Sequence, residues 1–176
     1  MKTKHMTQIA VMAALICIAG PLVIPAGPIP LSLATFAVYL AGSVLGKKHG
    51  TMAVGLYLLI GIVGVPVFSG FSGGIQKLAG VTGGYLAGYL PCAWLSGAGA
   101  ECREKTGWWF HVLMMAAGTA VLYLIGTGYF MIQTGNALGA ALSLCVIPFL
   151  PGDAVKIIAA AILTDPLRKA LRKMQN

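Results

Sequence analysis

"WWFHVLMMAAGTAVLYLIGTGYFMIQ" runs from Trp108 to Gln133 without an Asp, Glu, Lys or Arg. A helix needs about 20 largely apolar residues to cross the hydrocarbon of a bilayer. Trp108 and Trp109 open the run, as aromatic residues do at a membrane–water boundary. The rest of the chain has the same character. Of its 176 residues, 58% are hydrophobic and only 9% are charged, with a mean hydropathy of +0.87. Ordinary soluble domains carry roughly 25% charged residues, so the composition calls for an integral membrane protein. No linker or low-complexity tract divides the chain, so residues 1–176 are read as one membrane domain. The first apolar run leads into Pro21, Pro25, Pro28 and Pro30 without a small-residue cleavage site, so it is read as a span and not a signal peptide.

Five further runs read as spans: Met6–Ile24, Leu31–Leu45, Gly50–Gly64, Leu78–Gly99, and Gly152 to beyond Leu163, reaching Lys173 at the longest. Ala137–Ile147 is a short apolar segment before the last span and reads as a partial or re-entrant helix. The fold class expected is therefore all-α, with six transmembrane helices and one short extra helical segment. With six spans, Lys2, Lys4, Lys47, Lys48, Arg103, Lys105, Arg168, Lys169, Arg172 and Lys173 all fall on one side, and only Lys77 and Lys156 fall elsewhere. The positive-inside rule puts that side, and both termini, in the cytoplasm. The net charge of +8 is then an orientation signal in a cell-membrane protein surrounded by lipid. A nucleic-acid partner is excluded, because no soluble basic face exists to bind it.

The loops on the other side carry the unusual residues. "FLPGDAVKIIAAAIL", Phe149 to Leu163, holds Asp153 and Lys156 three residues apart on one helical face. Asp153 suits a helix N-terminus, as a cap or within the first turn. Lys156 does not, and a charge at membrane depth costs roughly 2.5–3.5 kcal/mol at mid-bilayer on insertion scales. The two side chains pair with each other, or with a ligand. "GVPVFSGFSGGIQKLAGVTGGYLAGY", Gly64 to Tyr89, interleaves Phe68, Phe71 and Tyr85 with Gly70, Gly73, Gly74, Gly80, Gly83 and Gly84. It reads either as a lid over a small, flat, partly polar molecule or as a glycine-rich turn with interfacial aromatics. Thr82 and Tyr85 add hydroxyls. Ser32 and Thr35, in the proline-rich segment Ile24–Phe36, read mainly as partners for local backbone groups. On the first span, Ala10 and Ala14 form a small-xxx-small pair that permits close helix approach.

Other chemistries find no support. Cys17, Cys92, Cys102 and Cys145 include no CxxC pair, and His5, His49 and His111 lack ligand spacing, so neither a disulfide framework nor a metal site is expected. "GSVLGKKHG" is one residue short of a phosphate-binding loop and reads as a topology signal. No motif for using ATP is present, so active transport would need separate ATPase subunits.

Four segments together carry a family likeness: "PIPLSLATF" (Pro28–Phe36), "GVPVFSGFSGG" (Gly64–Gly74), "TGGYLAGY" (Thr82–Tyr89) and "PFLPGDAVK" (Pro148–Lys156). In this order and spacing the chain resembles the BioY family, the biotin-binding S components of energy-coupling factor (ECF) vitamin transporters. The resemblance implies an S-component-like bundle of six helices around one biotin pocket, open to the outside and lidded by external loops. It assigns Asp153 and Lys156 to the polar pair at the ligand, Thr82, Gly83, Gly84 and Tyr85 to the pocket wall, and Phe68 to Gly74 to the lid. It assigns Ala10 and Ala14 to the contact with a transmembrane coupling subunit, which works with two cytoplasmic ABC ATPases. Biotin is then a transported ligand, with no cofactor. The chain departs from the family pattern at Ala34, where Gln is common, and at Val81, where Pro is common. Biotin suits such a site: its ureido N–H groups want an acceptor such as Asp153, and an oxygen of the ligand wants a donor such as Lys156. Which end of biotin meets Lys156 is left open by the residues alone.

Three other readings compete. One is an S component for a different small vitamin. A membrane enzyme using Asp153 and Lys156 lacks a nucleophile or metal. A proton-coupled secondary transporter lacks a second intramembrane acid and an internal repeat.

Overall fold

The structure is a computed structural model that describes residues 3–24 and 31–173. It is almost entirely helical. In chain order the elements are α1 (Thr3–Ala19), the two-residue strands β1 (Val23–Ile24) and β2 (Leu31–Ser32), α2 (Ala34–Val63), α3 (Gln76–Ala79), α4 (Gly83–Thr106), α5 (Trp108–Thr134), α6 (Leu138–Cys145) and α7 (Leu150–Lys173). The run Trp108–Gln133 is α5, and it ends at Gly135 in the left-handed conformation.

Several boundaries differ from expectation for identifiable reasons. The first span stops at Ala19, not at Pro25, because Pro21 has no N–H to continue the helix. The chain then turns back as a short antiparallel pair, Val23 with Ser32 and Ile24 with Leu31. The prolines expected to shape the first outer loop, Pro25, Pro28 and Pro30, lie outside the described residues, as does Lys2. The second and third spans are continuous in α2 but break at Gly46, whose φ of 83° and ψ of 168° are not helical. Glu101 of α4 accepts the Lys47 N–H at 3.0 Å, supplying the partner that the break removes. The expected Leu78–Gly99 span divides into α3 and α4 around Gly80, which is extended. The partial helix is α6, bent by 50° against α7.

Helix α4 lies between α2 and α5, with α1 and α7 against α2. Small residues let the helices approach closely: the Gly42 Cα faces the Ala93 backbone with no room for a Cβ. The interior also holds paired polar groups. Tyr39 Oη meets Thr119 Oγ1 at 2.6 Å, and Ser43 Oγ meets His111 Nε2 at 2.9 Å. His111 is fully buried, and its Nδ1 has no hydrogen-bond partner among the described residues.

The outer surface is apolar: Val63, Trp109, Leu124 and Ile132 are each at least 75% exposed. Water would make such a surface costly, whereas lipid does not. By length and composition alone, among the described residues, only α5 passes as a membrane-crossing helix, with α6 and α7 passing together as a broken pair. Helix α1 has 17 residues, and α2 carries its lysines at the break.

The ends of the bundle differ. At one end Lys47 pairs with Glu101, Arg103 with Asp165, Arg168 donates to the Ala100 carbonyl at 2.8 Å, and His5 stacks on His49. At the other end Ser32 of β2, the start of α2, the 64–82 loop and the start of α7 surround a cavity.

Candidate ligand-binding site

The last helix owes the position of its charges to its first turn. Asp153 is the fourth residue of α7, and its N–H already donates to the Phe149 carbonyl at 2.8 Å. It is therefore inside the helix and not its N-cap, and its carboxylate is directed into the bundle, where it is buried. Lys156, one turn later, donates to Asp153 Oδ1 at 2.9 Å, to Thr35 Oγ1 at 3.0 Å and to the Ser32 carbonyl at 2.8 Å. All three of its N–H groups are thus engaged. Tyr123 of α5 donates to Asp153 Oδ2 at 2.5 Å. Asp153 and Lys156 have side-chain exposures of 6% and 11%. A pair this enclosed holds together because every hydrogen on the ammonium and both carboxylate oxygens have partners.

This cluster forms one wall of a cavity of about 380 Å³, the size of small-molecule pockets. Tyr85, Leu86 and Tyr89 of α4, Leu122 and Tyr123 of α5, and Phe149 supply an aromatic and aliphatic lining. Cys145 of α6 also lines it. Ser69, Ser72, Gln76, Lys77 and Thr82 supply polar groups from the 64–82 loop and α3. Phe68 closes one side. It is 2% exposed, meets Tyr57 edge to face at 5.6 Å between ring centres, and rests on Gly61, where a Cβ would collide with its ring.

The residues singled out from the sequence separate into two groups. Asp153, Lys156, Tyr85, Thr82 and Phe68 line the cavity. Ser32, Thr35, Gly80 and Val81 line it too, whereas Phe71, Gly73, Gly74, Gly83 and Gly84 are not among the lining residues. Phe71 is 70% exposed at a φ of 55° and does not line the cavity. Gly83 packs against the Leu78 carbonyl and Gly84 against Tyr129 and the Ile125 carbonyl, so both seat α4 and leave the lining to their neighbours. Gly73 lies under the Val65 carbonyl, and the Gly74 N–H donates to the Gly61 carbonyl at 2.7 Å, so both shape the loop from behind. Ser32 Oγ does accept a local N–H, that of Ala34, at 3.2 Å, whereas Thr35 joins the Lys156 cluster. Ala10 and Ala14 are exposed on α1, on the side away from its buried Ile9, Met12, Ala13 and Ile16. Cys102 is an exposed thiol.

Sequence reasoning missed Tyr123 and Lys77. A tyrosine in an apolar span reads as packing, and Lys77 stood out only as a basic residue on the wrong side of the charge pattern. That anomaly was the available signal: a lysine that does not serve orientation has another use.

A family model described as the BioY family matches residues 1–173. A protein of Thermotoga maritima named biotin transporter BioY is 36% identical, covering 94% of this chain and 96% of its own. A probable biotin transporter BioY of Pyrococcus horikoshii is also 36% identical, over 96% of this chain and 98% of its own. Among solved structures, the S-component for biotin from an ECF-type ABC transporter superposes with a TM-score of 0.88 at 30% identity, covering 96% of this chain and 95% of that one.

Proposed function

The chain belongs to the BioY family, and from that premise we propose that it is the biotin-binding membrane subunit of an ECF-type uptake transporter, a carrier component and not an enzyme. The observation that carries the reading is the Tyr123–Asp153–Lys156 cluster inside a largely apolar cavity of about 380 Å³.

The hydrogen-bond inventory supports one orientation of the ligand. A carboxylate offers about four acceptor positions. Lys156 and the Thr35 hydroxyl occupy two at Asp153 Oδ1, at 2.9 and 3.5 Å, and Tyr123 one at Oδ2, which leaves one position at Oδ2 for a ureido N–H. Lys156 has no spare donor, so its part is to hold and charge-balance Asp153. Asp153 and Lys156 together are neutral, and biotin brings a carboxylate. Burying that charge without a partner is costly. Lys77 lines the cavity and has no ion-pair partner among the described residues. We therefore place the ureido ring at Asp153 and the carboxylate tail toward Lys77. The aromatic lining of Tyr85, Tyr89 and Phe68 suits the sulfur ring.

The remaining assignments follow from the same reading. The end of the bundle bearing Lys47, Lys48, Arg103 and Arg168 faces the cytoplasm with both termini, so the cavity faces outward. With no ATP-using motif, the chain works with a transmembrane coupling subunit and two cytoplasmic ABC ATPases. The exposed Ala10–Ala14 pair on α1 is the surface offered to the coupling subunit.

Calorimetric titration of the purified protein with biotin, thiamin and riboflavin tests the function. One-to-one binding of biotin alone is expected. Preference for another vitamin, or no binding by folded protein, would overturn it.

A further inference from the structure

At the end of the bundle opposite the cavity, a shallow, open groove is lined by Lys47, Lys48, Thr51, Met52 and Trp94. The first four lie within two turns of α2 just after the Gly46 break, at i,i+4 spacings that share a helical face. Trp94 comes from α4, whose Gly97 lies directly against the Lys47 backbone, with no room for a Cβ. The break and this glycine contact together bring two lysines beside an indole.

The two cations are incompletely compensated. Lys47 Nζ is 3.5 Å from Glu101, and both side chains are 40% exposed or more. Lys48 is exposed and has no ion-pair partner among the described residues. The Thr51 hydroxyl already donates to the Lys47 carbonyl at 2.6 Å. Met52 at 41% and Trp94 at 49% exposure give the groove an apolar wall continuous with the lipid-facing surface.

We propose that this groove holds the headgroup of an anionic phospholipid of the inner leaflet, its phosphate at Lys48 and Lys47 and its glycerol and upper acyl region against Trp94 and Met52. The inner-leaflet placement rests on the orientation proposed above. The chemistry is complementary at both levels. Lysines at the end of a membrane helix attract anionic headgroups, and an indole prefers the boundary between headgroup and acyl chain. A zwitterionic lipid offers the same acyl chain without the net charge, so the groove discriminates between the two.

Native mass spectrometry of the full chain, released from detergent with dioleoyl phosphatidylglycerol or dioleoyl phosphatidylcholine, tests this. Wild type is expected to retain one phosphatidylglycerol in preference to phosphatidylcholine. Lys48→Gln is expected to lose about fivefold of that retention, the factor one lysine contributes near an anionic surface. Lys48→Arg and Lys169→Gln, the latter removing an exposed charge on α7, are expected to keep it. Equal retention of the two lipids by wild type would overturn the proposal, as would an equal loss in Lys48→Gln and Lys169→Gln, which marks diffuse charge attraction. Loss in Lys48→Arg would also overturn it. Biotin titration of the same samples reports separately on the cavity and on folding.

Discussion

Asp153→Asn removes one negative charge while keeping the side chain's shape. In the native protein Oδ1 accepts from Lys156 at 2.9 Å and Oδ2 from Tyr123 at 2.5 Å. The new amide must keep its oxygen toward the ammonium, because an NH₂ there would set donor against donor. Its nitrogen then occupies the Oδ2 position, facing Tyr123 and the cavity. A ureido N–H arriving there meets a donor where it needs an acceptor. A hydrogen bond to a charged group contributes roughly 1.5–3 kcal/mol, so the biotin Kd rises by about ten- to hundredfold. The variant also leaves Lys156 without its counter-ion at 11% side-chain exposure, so a thermal melt must accompany the titration. The double variant Asp153→Asn/Lys156→Met provides the internal check. If Lys156 acts through Asp153, the second substitution adds little to the first, since groups acting as one unit are non-additive. A Kd within threefold of wild type, in a variant with unchanged melting, would refute the placement of the ureido group.

Lys77→Ala should weaken biotin about fivefold, the most expected for a partly exposed ion pair, and leave biotin methyl ester unaffected; parallel titrations with the two ligands read the difference. Phe71→Ala should change biotin affinity less than twofold, because the ring is outside the cavity, whereas Gly61→Ala should weaken it by displacing the Phe68 ring; calorimetry on both variants tests the contrast. Ser43→Ala strips from the fully buried His111 ring its one hydrogen-bond partner among the described residues and should destabilise the fold by about 1–3 kcal/mol, seen as a lower melting temperature with biotin affinity intact. Ala14→Trp should abolish co-purification with the coupling subunit while leaving biotin affinity unchanged, since Ala14 is exposed and remote from the cavity lining.

Much of the fold was legible because a bilayer imposes a simple rule on the chain. Apolar runs such as Trp108–Gln133 had to be helices, since no water is present to satisfy free backbone groups. Asp153 and Lys156 were legible for the same reason: charges amid apolar residues are costly, and their presence called for an explanation. Boundaries were less clear. Gly46 read as part of a loop between spans, yet Glu101, 55 positions along the chain, supplies the missing partner that lets α2 continue through the break. The short α3 was absorbed into the next span because four residues carry no usable periodicity.

By itself the sequence determined that this is a membrane helix bundle, and it singled out the charges read as an orientation signal and the two ionisable residues near the start of the last helix proposed to serve the ligand. Each of these follows from the local cost of placing a residue in hydrocarbon, which depends on residue type and neighbours in the chain. Only the tertiary structure decided that Tyr123 donates to Asp153, that all three Lys156 donors are taken, that Lys77 borders the cavity while Phe71 does not, and that Lys48 lies beside Trp94. Those facts depend on how helices rotate against one another, set by close backbone contacts such as Gly42 on Ala93 and Gly97 on Lys47. Contacts between residues distant in the chain leave no periodicity for a sequence to display.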